Sequence, residues 1–384
     1  MMPSRLISLQ LTFQGLERTG VPLVGYNGTH LVPGCIDDDI GLYVIVPRLA
    51  QWFHTSITQA AHYFLLAVLV GAALCASAAF CALYPAWPNR VLALLGTGLL
   101  TIINLRLDDI YLVPSACIIA LVPWAYYLAR KNTQSSWNSL LFVAGLVTGC
   151  AHYLRAHAGT AALLVVLALF LQNAHPRILR LVVALLCLCT GLALPISYFE
   201  HQKQRYYTFV ETHMPEHVTV RVRHSFWHIA YMGLGFITND LNLSYDDMVA
   251  SQKALSVNPQ AGSSTTDLHE AVLRAEVLHL LKTKTFYVVR VLVAKLSLII
   301  FYLLLFGFLG ILAFWRQRLP LSYLPSFAVG LLWSSLPGLL AIPSFYYLSG
   351  FISLAGVISI FGANTLLDKR TAVSPEEGIV SCRN

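Results

Sequence analysis

The sequence predicts an all-α, polytopic helical membrane protein. Of its 384 residues, 57% are hydrophobic and only 11% are charged, and the mean hydropathy is +0.66. Average soluble domains are about 25% charged, so this chain has too few charged side chains to cover a water-facing surface. The composition therefore excludes a disordered chain, a nucleic-acid-binding protein and a secreted disulfide scaffold.

Apolar segments of about bilayer length predict about nine transmembrane helices. A helix needs roughly 20 apolar residues to cross the hydrocarbon core, with a range of about 17 to 25. Prolines inside such segments are tolerated where neighbouring helices satisfy the freed backbone groups. The predicted spans are residues 60–84, 90–105, 110–129, 138–154, 158–173, 178–199, 286–314, 321–342 and 345–364.

The basic residues of the short loops predict the orientation of these spans. Basic residues collect in cytoplasmic loops, which here places the N-terminal region outside and the C-terminus inside. The outer face then holds 15 of the 18 acidic residues, all but Asp368, Glu376 and Glu377. The outer short loops contain only Arg106 and Arg155, whereas the inner loops contain Arg90, Arg130, Lys131, Arg177, Arg180, Arg316, Arg318, Lys369 and Arg370.

This orientation divides the chain into five regions. The first includes an expected interfacial helix, because Ile45, Leu49 and Trp52 follow a helical period next to the first span. No apolar signal-like segment lies in residues 1–30, so we expect that a first transmembrane helix is missing from the chain. The regions are an outer N-terminal segment (1–59), six spans (60–199), an outer loop with short helices (200–285), three spans (286–364) and a cytoplasmic tail (365–384).

Three acidic clusters lie on the predicted outer face: Asp37 to Asp39, Asp108 with Asp109, and Asp246 with Asp247. Adjacent carboxylates repel each other, so such clusters hold a cation, share a proton or face water. A solvated loop is the simplest interpretation of any one of them. The first two clusters flank membrane helices, which favours a shared pocket with a general base or a Mg²⁺ or Mn²⁺ ion held by Asp38 and Asp109.

A set of basic side chains is predicted on the same face. Charged residues inside membrane helices are costly and often functional, and Lys295 lies roughly 14 Å into the seventh span at ~1.5 Å per residue. A lipid-linked phosphate would sit at this depth. The candidate phosphate-binding residues are Arg106, Arg155, His157, Arg205 and Lys295.

Three segments resemble the GT-C superfamily of integral-membrane glycosyltransferases: PGCIDDDIGLYVIVPRLAQWF, RLDDIY and YLRAHAGTAALLVVLALFL. The resemblance implies transfer of a sugar, such as mannose or arabinose, from a polyprenyl-phosphate donor to a lipid, glycan or protein. It makes Asp37, Asp38 or Asp39 the catalytic carboxylate, Asp108 and Asp109 a second acidic motif, and Arg155 a phosphate-facing residue. It also implies a bacterial inner membrane with the active face in the periplasm.

Two other functions remain open. A transporter or lipid-handling protein would place ionisable residues deep in several helices, whereas Lys295 alone lies deep in a predicted span. A non-catalytic membrane scaffold would instead use the outer loops as a partner surface.

The outer loop contains one further pattern. His224 and His228 have the spacing of a helical metal pair but lack the glutamate of the HExxH motif, so packing among aromatic side chains is the favoured interpretation. A helix is expected from Asp267, with that residue as its N-cap. His269 and Glu270 are expected to be solvated on its surface.

Overall fold

The computed structural model describes residues 3–34, 39–131, 135–173, 178–215, 225–261 and 266–367. These residues form fourteen α-helices and one short hairpin, which confirms the all-α fold. Seven helices are long and apolar enough to cross a membrane. The chain is a polytopic helical membrane protein.

The helices and strands follow one another along the chain with short connections. Two single 3₁₀ turns, at Ile110–Leu112 and Leu321–Tyr323, precede α5 and α13. The elements are α1 (Pro3–Thr19), β1 (Val24–Tyr26), β2 (Leu31–Pro33), α2 (Ile40–Trp52), α3 (Ile57–Leu83), α4 (Trp87–Leu105), α5 (Val113–Lys131), α6 (Ser135–Leu154), α7 (Thr160–Asn173), α8 (Ile178–His213), α9 (Phe226–Leu234), α10 (Asp247–Val257), α11 (Asp267–Thr283), α12 (Thr285–Trp315), α13 (Leu324–Leu340) and α14 (Ser349–Leu367).

Each of the nine predicted spans is a helix, but two differ from the rest. Helix α7 has 14 residues and is about 21 Å long, shorter than the roughly 30 Å hydrocarbon core. Helix α6 begins with the polar sequence SSWNS and is not among the seven strongly apolar helices. Both helices pack inside the bundle against α5.

The bundle has a centre and a periphery. In the spans that contain α5 and α14, 78% of the most apolar window is buried, against 22% in α8 and α12. Helix α14 packs against α4, α5, α12 and α13. The exposed apolar side chains of α8 and α12 therefore form the outer surface, which suits contact with lipid.

Helix α8 is longer than the sequence predicted. It continues past residue 199 as one helix to His213, so residues 200–213 extend the sixth predicted span and do not form a separate short helix of the outer loop. Pro195 lies inside the helix without ending it. This extension carries Arg205, whose guanidinium donates a hydrogen bond to the Gly20 carbonyl.

The N-terminal segment packs on one end of the bundle. Helix α2, which lies in the expected interfacial segment, has eight buried residues and contacts α1, α3, α6 and α8. The antiparallel hairpin lies directly on α1, where a Cβ atom at Gly15 would lie 2.0 Å from the Val24 carbonyl oxygen. Only glycine permits this close approach.

Helices α9, α10 and α11 form a small unit with its own apolar core, which includes Met232, Ala250 and Leu273. The expectation for α11 was wrong in two respects. Thr266, not Asp267, is its N-cap and accepts a hydrogen bond from the His269 amide, and His269 is fully buried rather than solvated. We call this region the α9–α11 unit.

The α9–α11 unit and the N-terminal segment lie at the same end of the bundle. Tyr245, between α9 and α10, contacts Tyr347, which precedes α14. Tyr347 packs against Tyr111, near Arg5 of α1. We call this end, where α3, α5 and α14 begin, the site face.

Candidate functional site

A buried ion cluster connects three separate segments on the site face. Arg5 donates from Nε to Asp39 Oδ2 and from Nη1 to Asp109 Oδ1, each at 2.8 Å. The side chains are 14%, 8% and 2% exposed respectively. The structure thus brings together one carboxylate from each of the first two predicted acidic clusters, through a cation that the sequence analysis did not consider. We call these three residues the Arg5 cluster.

Both aspartates lie at the start of a helical segment. Asp39 is the N-cap residue of α2, and its carbonyl accepts a hydrogen bond from the Leu42 amide at 2.9 Å. The Asp109 carboxylate accepts one from the Ile110 amide at 2.6 Å and so caps the 3₁₀ turn before α5. Because α1, α2 and α5 each contribute one member, the cluster holds the N-terminal helix on the bundle.

The electrostatics of the cluster keep Arg5 charged. Burial disfavours the charged guanidinium, but the Asp39 and Asp109 carboxylates outweigh this effect and raise the pKa of Arg5 above its usual value. Arginine is in any case protonated at every physiological pH. Arg5 is therefore a fixed positive charge between the two aspartates.

Arg155 joins the same region through an aromatic ring. Its guanidinium carbon lies 3.9 Å from the centroid of the Tyr111 ring and 5.9 Å from that of Tyr347. The guanidinium carbon of Arg5 lies 5.4 Å from the Tyr111 centroid. The two contacts with Tyr111 fall within the range of cation–π attraction. Tyr111 therefore connects the Arg5 cluster with Arg155, the predicted phosphate-facing arginine.

Tyr111 belongs to a cluster of four tyrosines with Tyr245, Tyr346 and Tyr347. Tyr346 and Tyr347 each place their ring centroid 5.4 Å from that of Tyr111, edge to face. The hydroxyls of Tyr245 and Tyr347 are 2.6 Å apart and share a hydrogen bond. Burial raises the pKa of both hydroxyls, so these phenols stay neutral and can donate or accept hydrogen bonds.

Asp108 has a different partner from its neighbour Asp109. Its Oδ1 lies 2.7 Å from Nδ1 of His62 on α3, and both side chains are nearly half exposed. The backbone φ of Asp108 is 41°, in the left-handed region that non-glycine residues seldom adopt and that is enriched at functional sites. The two adjacent carboxylates thus face different environments, one buried and one accessible.

Three other candidate basic residues lie outside these contacts. Arg106 is exposed at the end of α4, and Arg205 is exposed where it donates to the Gly20 carbonyl. His157 is exposed between α6 and α7, with its ring centroid 6.3 Å from that of Trp333. Their roles in phosphate binding stay predictions.

Lys295 has a structural role that the sequence did not reveal. Its ammonium is buried and donates to the carbonyls of Leu339, Leu340 and Ala341 at 2.8, 3.3 and 2.6 Å. An ammonium has three N–H donors, so all of them are used to cap the end of α13. This correction removes Lys295 from the proposed phosphate site.

The predicted metal site receives no support from the described contacts. Asp37 and Asp38 lie outside the described residues. Oδ1 of Asp109 already accepts hydrogen bonds from Arg5 and Ile110, and no group of three or more His, Cys, Asp or Glu side chains in the described segments could hold a metal ion. The Mg²⁺ or Mn²⁺ site proposed at Asp38 and Asp109 therefore stays a prediction.

Sequence reasoning missed several residues of this region: Arg5, His62, Tyr111, Tyr245 and Tyr347. Tyr111 had a weak signal, since it follows the Asp108–Asp109 pair within the sequence LDDIYL. Arg5 had none, because its two partners are 34 and 104 residues away.

Comparisons with known proteins return no match. No family model, no curated protein and no solved structure matches the chain. A functional proposal must therefore come from the chain's own residues and their geometry.

Proposed function

We propose that this protein is a GT-C-type glycosyltransferase that moves a sugar from a polyprenyl-phosphate donor to a lipid, glycan or protein. Its active face would be the site face, on the periplasmic side of a bacterial inner membrane. One observation carries the proposal: Asp39 and Asp109, from the two predicted acidic motifs, share Arg5, and Arg155 packs on the adjoining Tyr111.

Arg155 is the proposed ligand of the donor phosphate. Its planar guanidinium presents several N–H donors in a geometry that matches phosphate oxygens. It is half-buried and oriented by Tyr111 and Tyr347. A lipid-linked phosphate lies at the membrane surface, which is where these helix ends meet the extramembrane segments.

The tyrosines supply a surface suited to a sugar. Aromatic faces pack against the C–H groups of a pyranose or furanose ring, and phenol hydroxyls hydrogen-bond to sugar hydroxyls. Tyr245, Tyr346 and Tyr347 keep part of their surface exposed and offer both kinds of contact, beside the buried ring of Tyr111. A sugar joined to a phosphate held by Arg155 would lie against these rings.

The proposed reaction is a direct displacement at the anomeric carbon. The acceptor oxygen forms a bond to that carbon, the bond from the carbon to the phosphate oxygen breaks, and the acceptor proton passes to a carboxylate or imidazole. Asp37 and Asp38 keep their proposed role as bases. Among the described carboxylates at this site, Asp108 with His62 is accessible to an acceptor, whereas Asp39 and Asp109 hold Arg5.

Fixed positive charge would assist the leaving group. Charge develops on the phosphate as the glycosidic bond breaks, and preorganised donors aimed at it lower the barrier. Arg155 would contact the phosphate, and Arg5 would hold Asp39 and Asp109 in place.

Membrane vesicles that contain the protein provide the test. The probes are polyprenyl phosphates that carry radiolabelled mannose or arabinose, and the readout is label transferred to the acceptors of the native membrane. Arg155→Met is expected to reduce transfer by about 10²-fold. Arg18→Met is the matched control, because Arg18 stacks on Tyr26 of the hairpin and not on the tyrosine cluster.

The outcomes separate the proposal from its alternatives. Unchanged sugar transfer by a correctly folded Arg155→Met variant would exclude the proposed phosphate contact. Bound polyprenyl phosphate in the purified protein with no transfer to any acceptor would indicate a lipid-handling protein. Absence of both binding and transfer with folded protein would indicate a scaffold.

A further inference from the structure

The α9–α11 unit contains two buried histidines in direct contact. His228 on α9 is 4% exposed and His269 on α11 is fully buried. Nδ1 of His228 lies 3.0 Å from Nε2 of His269. Imidazole is the side chain that exchanges protons near neutral pH, so the number of protons held by this pair affects the structure around it.

The two histidines form the middle of a chain of hydrogen bonds, and each end of this chain is a hydrogen-bond acceptor. Nδ1 of His269 lies 3.0 Å from the carbonyl oxygen of Ala261. Nε2 of His228 lies 2.9 Å from Oδ1 of Asp247, at the start of α10. A backbone carbonyl and an ionised carboxylate can only accept hydrogen bonds, so the ring nitrogens that face them must donate.

A count of protons shows that two neutral histidines cannot satisfy this chain. The chain has three contacts, Ala261 to His269, His269 to His228, and His228 to Asp247, and each needs one proton. Two neutral imidazoles carry one N–H each. A third proton must therefore be bound within the chain. Without it, one contact places two acceptors against each other in a buried site, which is costly.

The third proton resides on the histidines rather than on Asp247. The hydrogen bond from His228 lowers the pKa of the Asp247 carboxyl, although desolvation opposes this effect. The Asp247 side chain is 84% exposed, whereas that of His228 is 5% exposed. Asp247 thus compensates the positive charge of the pair and connects it with solvent.

The other ionisable groups around the pair have contacts of their own. Glu270 accepts hydrogen bonds from the Trp227 and His228 amides, and Glu276 pairs with Lys253. Helix α13, which packs on α9, has no ionisable side chain. The charged and titratable groups on the packed elements are Tyr231 on α9, Tyr245 and Asp246 before α10, Asp247 and Lys253 on α10, Asp267, Glu270, Arg274, Glu276, His279 and Lys282 on α11, and Tyr287, Arg290, Lys295 and Tyr302 on α12.

We propose that His228 and His269 form a proton-binding site that fastens α9 to α10 and α11. The bound proton completes the three hydrogen bonds of the chain. Release of the proton as the pH rises breaks one of them and loosens the unit. The site is independent of the proposed glycosyl transfer.

Hydrogen exchange of the full-length protein in lipid nanodiscs tests this site. The peptides to follow cover α9 and α11, between pH 5 and pH 8.5, with each rate divided by the intrinsic rate at that pH. Protection is expected to fall about tenfold across this range, since an unsatisfied buried acceptor costs enough to change an equilibrium by that factor. Protection that stays constant across the range would overturn the proposal.

Asp247→Asn gives the sharper test. An asparagine amide can donate to Nε2 of His228, so two neutral histidines then satisfy all three contacts without a third proton. The variant is expected to keep high protection at both pH limits. The matched control is Asp240→Asn, which removes an exposed carboxylate of the same unit and should behave like the unaltered protein. The proton count would be refuted if protection in Asp247→Asn changed with pH as it does in the unaltered protein. It would also be refuted if protection in this variant were low at pH 5.

Discussion

The Arg5 cluster and the His228–His269 pair are both buried polar groups that join helices, but they hold charge differently. Arg5 keeps its proton at every physiological pH and binds Asp39 and Asp109. The histidine pair needs a third proton to complete its hydrogen bonds. The contact of α1 with the bundle therefore rests on a cation that keeps its proton, whereas the proposed fastening of the α9–α11 unit requires a proton to be bound.

The two regions also differ in how they meet the bundle. The Arg5 cluster lies directly between α1, α2 and the turn before α5. The α9–α11 unit rests on the end of α13, where a Cβ atom at Gly233 would lie 1.9 Å from the Leu340 carbonyl oxygen. Lys295 caps that same helix end, and the Tyr245–Tyr347 hydrogen bond provides a second joint.

Removal of Arg5 should have the largest effect. Arg5→Met leaves two buried carboxylates without their shared cation, and breaking a buried ion pair in this way costs about 3–5 kcal/mol. The measurement is the free energy of unfolding in detergent, followed by tryptophan fluorescence. Arg18→Met on the same helix is the control, and an equal loss in both variants would contradict a special role for Arg5.

Loss of the Lys295 ammonium should have the next largest effect. Lys295→Met leaves the buried carbonyls at the end of α13 without donors, for an expected loss of about 2–3 kcal/mol. Arg290→Met is the control, because Arg290 is exposed on the same helix. If Lys295→Met instead unfolds like the unaltered protein but loses sugar transfer, the side chain binds substrate and its structural assignment fails.

Glu270 holds the start of α9 within the same unit. Its carboxylate accepts the Trp227 and His228 amides at 2.8 and 3.0 Å, at the start of α9. Glu270→Gln turns one acceptor into a donor and should cost about 1.5 kcal/mol. The expected result is faster hydrogen exchange in α9 at every pH with an unchanged pH dependence. A loss of the pH dependence would assign the titration to Glu270 and not to the histidines.

Loss of the hydrogen bond between Tyr245 and Tyr347 should have the smallest effect on stability. Tyr245→Phe removes the hydrogen bond to Tyr347 and should cost about 1 kcal/mol. Burial raises the pKa of Tyr245 and Tyr347, so the folded protein binds these protons more tightly than the unfolded chain. Their contribution is therefore full below about pH 10 and is lost as the pH rises above it. The free energy of unfolding of the unaltered protein and of Tyr245→Phe, measured from pH 7 to pH 11, checks this. A stability difference between the two proteins that already decreases between pH 7 and pH 9 would contradict it.

The fold was largely predictable because its signal is local. Each span is a continuous apolar segment, and the membrane requires such a segment to be a helix. The prediction was wrong where packing decides. Helix α8 continues to His213, and His269 lies in the interior of the α9–α11 unit.

The candidate site was predictable only in part. The acidic pairs and Arg155 were visible as charges at helix ends. Their partners were not, because the sequence carries no signal that brings Arg5 to Asp109 or His228 to His269. Lys295 shows the opposite error, since a lysine inside a span suggests a ligand site until the carbonyls around it are seen.

Hydropathy and charge act residue by residue, so the amino-acid sequence was enough to identify a helical membrane protein with its acidic residues concentrated on one predicted face. The pairing of those charges depends on how the helices pack. Asp39 and Asp109 share Arg5, Asp108 contacts His62, and a carbonyl and a carboxylate enclose two histidines. Hydrogen bonds act over about 3 Å, so their partners depend on the packing of helices that lie far apart in sequence.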